Sequence, residues 1–229
     1  MQKTVLITGA SGNLGSATVK VMLEQKYRVV AAGNRADKPS FLEQQNVDYY
    51  QVNLAIEEEA NRFVHTAIDR SGTIHSGLLL AGGFEMGSIE FTGEEALKRM
   101  FMINFETAYY SARPLFSHMM KQGYGRIVFV GAKGAHSPAQ GKNTIGYSLS
   151  KSLLFRLAEY LNEEAKGRNV VSSVVVPGTI DTPQNRESMP DADTKKWVRA
   201  EDIAELLGFI CGDKAAALRE PVYKIYNNS

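Results

Sequence analysis

The sequence predicts an α/β protein of one domain, built on a doubly wound parallel sheet with helices on both faces. Three observations point there. Short β-branched runs alternate with helical patterns along the chain. The runs are continuous in apolar residues rather than alternating, as strands covered on both sides must be. The first run also passes straight into a glycine-rich turn and then a helix. Repeated βα units of this length leave few other topologies, because parallel crossovers are right-handed.

The elements follow in order. TVLIT (4–8) reads as the first strand, and SATVKVMLEQK (16–26) as a helix with Ala17, Val21 and Met22 at helical spacing. RVVAAG (28–33) and VDYYQVNL (47–54) are the next two strands. The stretch 57–72 starts with three glutamates and ends in Arg70 and Gly72, a charge order that complements a helix dipole. GLLLAGG (77–83) is a buried strand ending in glycines. Residues 94–123 read as a long helix with a kink or break at Pro114. GRIVFVGA (125–132), a helix over about 144–166 and NVVSSVVVPG (169–178) complete the repeat. The segment 181–197 is polar, proline-bounded and aperiodic, and is expected to form a substrate lid.

With 229 residues the chain is long enough for a full core, and its net charge of +1 gives no nucleic-acid footprint. The single cysteine, Cys211, excludes an intramolecular disulfide and suits a reducing cytosol. Met1-Gln2-Lys3 leads directly into TVLIT, which leaves no room for a signal peptide, and no apolar run reaches membrane-spanning length. A cytoplasmic protein without a membrane partner is expected. No Cys/His/carboxylate cluster has metal-ligand spacing, so no metal is expected.

Thr8-Gly9-Ala10-Ser11-Gly12-Asn13-Leu14-Gly15 lies between the first strand and first helix. Glycines there let the backbone turn tightly against a pyrophosphate, whose charge the helix N-terminus meets. The strand–turn–helix setting makes this a Rossmann-type dinucleotide cradle. No Walker lysine is present, which argues against a nucleoside triphosphatase. A carboxylate ending the second strand would select NAD, and an arginine NADP. The chain has Gly33-Asn34-Arg35, and the planar donor fork of Arg35 suits a 2′-phosphate, so NADP(H) is favoured over NAD(H).

Tyr147 and Lys151 stand one helical turn apart and share a face. A tyrosine with a pKa of about 10 is a poor acid or base at neutral pH. A neighbouring ammonium is expected to lower that value and make Tyr147 a general acid/base, with Lys151 also reaching cofactor ribose hydroxyls.

TGASGNLG at 8–15, LAGG at 80–83, Asn104, Tyr147-x-x-x-Lys151 and PGTIDT at 177–182 occur together in one order and spacing. On these pieces the chain resembles the short-chain dehydrogenase/reductases over essentially its whole length. The resemblance implies an NAD(P)-dependent oxidoreductase with Tyr147 as acid/base and Lys151 as its electrostatic partner. It further implies that Asn104 holds a water connecting the lysine to solvent, and that Asn53 and Leu54 flank the adenine. Ala81, Gly82 and Gly83 stand where the family usually has Asn-Ala-Gly. Pro177, Gly178, Ile180 and Thr182 would line the cofactor, the last two touching its nicotinamide amide and phosphates. A small-molecule substrate and a homodimer or homotetramer, paired through helices 94–121 and 144–166, are also implied.

The family's active-site serine ends the fifth strand and hydrogen-bonds the substrate carbonyl. Here that strand ends Val130-Gly131-Ala132-Lys133. Counting from the strand end gives Ala132, and counting back from Tyr147 gives Gly134; neither is a serine, although Ser137 follows in the loop. A lost donor of this kind typically slows carbonyl reduction about a hundredfold or more. A serine-free site suits an acceptor that takes hydride readily, such as a cross-conjugated quinonoid imine. Within the family, AGGF (81–84), GAK (131–133), IGYSLSK (145–151) and DTPQNRESMPDAD (181–193) resemble the quinonoid dihydropteridine reductases. That group mainly uses NADH, so Gly33-Asn34-Arg35 departs from it. In that setting Phe84 and Trp197 are candidates to stack on a flat heterocycle, beside Ala132. His65 and His118 read as surface or packing residues of helical patterns and His75 lies in a turn, while His136 lies in the loop before Tyr147 and is a candidate to face substrate. Two other readings stay open: reduction of an ordinary carbonyl with a different donor, and a catalytically silent cofactor-binding sensor or subunit.

Overall fold

In the computed structural model residues 2–34, 40–42 and 45–228 are described. The elements in chain order are β1 (Thr4–Thr8), α1 (Asn13–Glu24), β2 (Arg28–Gly33), β3 (Val47–Gln51), α2 (Glu57–Ser71) and β4 (Ser76–Leu79). The chain continues through α3 (Glu94–Phe101), a π-helical turn (Met102–Glu106), α4 (Thr107–Gln122), β5 (Tyr124–Val130), α5 (Lys133–His136) and α6 (Pro138–Gly141). It closes with α7 (Ile145–Glu164), β6 (Asn169–Pro177), β7 (Ile180–Asp181), α8 (Pro183–Ser188), β8 (Val198–Arg199), α9 (Ala200–Cys211) and β9 (Val222–Ile225).

Seven parallel strands form one sheet in the order β3-β2-β1-β4-β5-β6-β9. Successive residues of each strand feed opposite faces, which explains the continuous apolar runs. Leu6, Ile127, Phe129, Val174 and Val176 pack with α2, α4 and α7, through Phe63, Leu115, Met119 and Leu154. Val5, Ile7, Val128 and Val175 pack on the other side with Val19 and Met22 of α1 and Ile203 and Leu207 of α9. Burying one such aliphatic side chain contributes about 1.5–3 kcal/mol. The order reverses between β1 and β4, so the crevice for a ligand opens at the C-terminal ends of those two strands.

Several boundaries differ from the sequence expectation. The irregularity in the long helix falls at the π turn 102–106, and α4 runs through Pro114 without interruption. The segment 181–197 contains the short helix α8, and the two-residue pairing of β7 with β8 (Ile180↔Val198) closes its base. Beyond it, α9 and β9 complete the second face and the sheet edge; neither was expected from the sequence. Among the described residues no helix is long and apolar enough to cross a membrane.

Candidate active site

The glycine-rich turn joins β1 to α1 at the switch between β1 and β4. Gly9 has φ of +67°, and a Cβ there would lie 2.8 Å from the Ala81 nitrogen, so only glycine lets the turn lie against β4's end. Thr8 Oγ1 accepts from Ala81 N at 3.3 Å, and Gly12 N donates to Gly9 O at 3.0 Å. A Cβ on Gly15 would collide with Gly9 O, so the first turn of α1 packs directly on the loop. The N-terminus of α1 carries no side-chain cap, which leaves its first amides as donors for an anion. Leu14 packs into the α1-side core. These features fit a dinucleotide's pyrophosphate.

Around the end of β4, four predicted residues meet: Gly82, Gly83, Asn104 and Lys151. Asn104, fully buried in the π turn, accepts at Oδ1 from Gly83 N at 3.1 Å. A Cβ on Gly82 would fall 2.6 Å from Asn104 Oδ1 and 3.2 Å from Lys151 Nζ, so both polar ends converge on this glycine. Lys151, 5% exposed, donates to Val130 O at 2.8 Å, which ties α7 to the end of β5. Burial lowers its pKa to about 8. Tyr147 on the same helix meets Phe84 edge-to-face, with ring centroids 5.0 Å apart and planes at 77°. Burial pushes the Tyr147 phenol up to about 12. The sequence led us to expect that Lys151 would lower this value. Desolvation instead moves both groups toward their neutral forms, so Tyr147 is a phenol and a proton donor at neutral pH.

At the end of β5 stands Ala132, buried and extended before α5. Gly134 faces a different neighbour: a Cβ there would lie 2.5 Å from Ser148 Oγ and 3.0 Å from Gly141 Cα. Ser148 Oγ is shared with Thr144 Oγ1 at 2.8 Å. A Cβ added at 134 therefore collides, whereas position 132 already carries one. His136 stacks on Phe155 of α7, centroids 6.1 Å apart.

The remaining predicted residues divide. Ile180 O accepts from Asn185 Nδ2 at 2.7 Å, and Thr182 Oγ1 caps α8 by accepting from Asn185 N at 3.1 Å. Asn13 Nδ2 donates to Gln184 Oε1 at 2.6 Å, so the cradle and the 181–197 segment touch directly. Pro177 ends β6, and Gly178 N donates to Ile225 O at 2.8 Å. Asn53 turns its amide onto Ala55 N, and Leu54 is buried in the core. Asn34 is exposed at the end of β2, and Arg35 lies outside the described residues. Trp197 is buried, its carbonyl accepting from Asn227 Nδ2 at 2.9 Å, and among the described residues it makes no ring contact with Phe84 or Tyr147. It anchors the root of the segment. Sequence reasoning missed the Val130 carbonyl and the Gln184 contact, because each depends on a partner distant in the chain. Among the described residues no group of three or more His, Cys, Asp or Glu is placed to hold a metal ion.

Comparison with known proteins agrees with this geometry. A dihydropteridine reductase of Dictyostelium discoideum is 28% identical over 213 residues, covering 90% of this chain and 87% of that protein. A 3-oxoacyl-[acyl-carrier-protein] reductase of Aggregatibacter actinomycetemcomitans is 24% identical over 239 residues, covering 98% of each. The solved structure of ElxO with NADP bound superposes with a TM-score of 0.90 at 21% identity, covering 98% of this chain and 97% of that one. The family described as short chain dehydrogenase matches residues 3–193, and the chain belongs to it.

Proposed function

We propose that this oxidoreductase transfers hydride from a nicotinamide cofactor, NADP(H) in preference to NAD(H), to a small quinonoid acceptor of the dihydropterin type. The observation that carries the substrate class is Ala132: a methyl group stands just past β5, two residues beyond the Val130 carbonyl that holds Lys151. The cofactor, when bound, supplies the hydride. Gly9, Gly12, Asn13 and Gly15 would hold its pyrophosphate, Lys151 its ribose, and Ile180 and Thr182 its nicotinamide end. Tyr147, held as a phenol, donates the proton that follows. Phe84, 60% exposed and set edge-on against Tyr147, offers its face to a flat heterocycle. The relatives lend support at a coarser level, since the Dictyostelium protein is a dihydropteridine reductase and the ElxO structure has NADP bound.

The test is Ala132→Ser. It is expected to raise turnover of simple ketones roughly 100- to 1,000-fold, the worth of one oxyanion donor, with dihydropterin turnover little changed. Steady-state rates on both substrates check it, and loss of the dihydropterin activity would count against the proposal. Gly134→Ser is the control, expected to destabilise the fold without gaining ketone activity, given its collision with Ser148.

We also propose that two copies pair across α4 and α7. These helices flank a cavity of about 540 Å³ lined by Tyr109, Phe116, Met120, Tyr160 and Leu161. Tyr160 is 67% and Leu149 49% exposed, large apolar surface for an unpartnered helix pair. Sedimentation should give a dimer or tetramer that Tyr160→Glu weakens; a monomer at micromolar concentration would reject the pairing.

A further inference from the structure

The segment 181–197 is held at both ends, and by different halves of the site. Its base is the β7–β8 pair, and residues 183–196 in between are mostly exposed. Near its start, Gln184 takes the bond from Asn13 that ties it to the glycine-rich turn. Its other end is a 3₁₀ turn (Thr194–Lys196) that runs into the buried Trp197. There a single side chain meets two carbonyls: Asn227 Nδ2 donates to Lys195 O at 3.1 Å and to Trp197 O at 2.9 Å. Carbonyls at the end of a helical turn lack intrahelical partners, so an outside donor is well used there. Asn227 stands two residues beyond β9 with φ of +52°, a left-handed backbone that asparagine tolerates better than most residues. The two residues before it reach the acceptor side. Ile225 O accepts from Gly178 N at 2.8 Å, and the Tyr226 ring lies 4.8 Å from Nζ of Lys133, the residue after Ala132.

We propose that Asn227 is a positioning residue for the acceptor, acting through Lys195 and Trp197. It fixes the returning end of 181–197 to a stretch of chain that also touches Lys133, and so sets the acceptor side of the crevice. The proposal rests on the acceptor site given above. The starting end of the segment is held independently, by the Asn13–Gln184 bond and by the Thr182 cap of α8. Loss of the Asn227 amide therefore frees one end only. Its effect falls on acceptor binding and spares the cofactor.

Two variants test this. Asn227→Gly keeps the left-handed backbone and deletes the amide, while Asn227→Asp keeps the shape and removes both donors. Asn227 is exposed, so neither change cuts into the core. With quinonoid dihydropterin as acceptor, each should raise KM about tenfold, the worth of one to two hydrogen bonds, with kcat and the NADPH Kd within about twofold. Trp197 is the chain's single tryptophan, so its emission reads the root of the segment directly. In both variants that emission should shift to the red, and trypsin should cut faster after Lys195 and Lys196. Equal losses in acceptor KM and cofactor Kd, a loosened root with KM unchanged, or no change in either would overturn the assignment. Turnover of a ketone and not of the dihydropterin would reject the substrate reading alone, and the same KM comparison on that ketone then decides the role of Asn227. A wild type that turns over no acceptor would overturn both.

Discussion

Tyr147→Phe is expected to lower kcat by about 10²- to 10⁴-fold, the usual contribution of a positioned general acid. Cofactor Kd should stay within about twofold, because the ring and its edge-to-face contact with Phe84 survive the change. The split matters more than the size. The phenol is held protonated by burial, with its pKa pushed up to about 12. In the proposed mechanism its contribution is a proton available when hydride arrives, and phenylalanine removes that proton while keeping the ring. Stopped-flow turnover and fluorescence titration of NADPH separate the two quantities. Unchanged turnover would move proton delivery to another group.

Lys151→Met should have the second large effect, and two readouts distinguish it from a packing change. Lys151 is buried against the Val130 carbonyl and beside Asn104 and Gly82, with its pKa lowered to about 8. If its ammonium orients the cofactor, wild-type turnover falls as pH rises through about 8, whereas the residual turnover of Lys151→Met shows no such step. The expected loss is about 10²-fold or more at pH 7, shared between kcat and cofactor KM. Stability responds in the opposite sense. Between about pH 8 and the ordinary lysine value of 10.5, the unfolded chain keeps a proton that the folded chain has released, so folding becomes more favourable as pH rises. The full window is worth about 3 kcal/mol. Urea denaturation at pH 7 and pH 10 should show a change more favourable in the wild type than in Lys151→Met, with burial of the Cys211 thiol opposing it equally in both above about pH 9. Tyr147 contributes nothing to this interval, since its own window lies above pH 10 and lowers stability as pH increases.

Much of this was legible in the sequence where local chemistry decides the outcome. β1, the turn at 8–15 and α1 follow from apolar continuity and from glycine spacing, and β2 falls at 28–33 as its residues suggest. Tyr147 and Lys151 share a face of α7 because helical geometry requires it. The rest depends on partners far away in the chain. The break in the long helix was expected at Pro114, where one backbone donor is missing, yet α4 continues through it. The distortion sits instead at 102–106, where a π turn delivers Asn104 to the Gly83 amide, a contact across 21 residues. The Val130 carbonyl that holds Lys151 carries no side-chain signal at all. Trp197 looked like a substrate aromatic in a polar segment, but its burial at the root of that segment is set by β8 and the C-terminal Asn227. The shift of Tyr147 runs upward for a physical reason: burial disfavours the charged form of both groups.

The central claim is the substrate class. The most direct measurement mixes the purified chain with NADPH or NADH and either quinonoid dihydropterin or a panel of simple ketones, following cofactor absorbance. The account predicts NADPH consumption with the dihydropterin, faster than with any ketone and faster than with NADH. Turnover of ketones without turnover of the dihydropterin, or cofactor binding with turnover of neither, would contradict it.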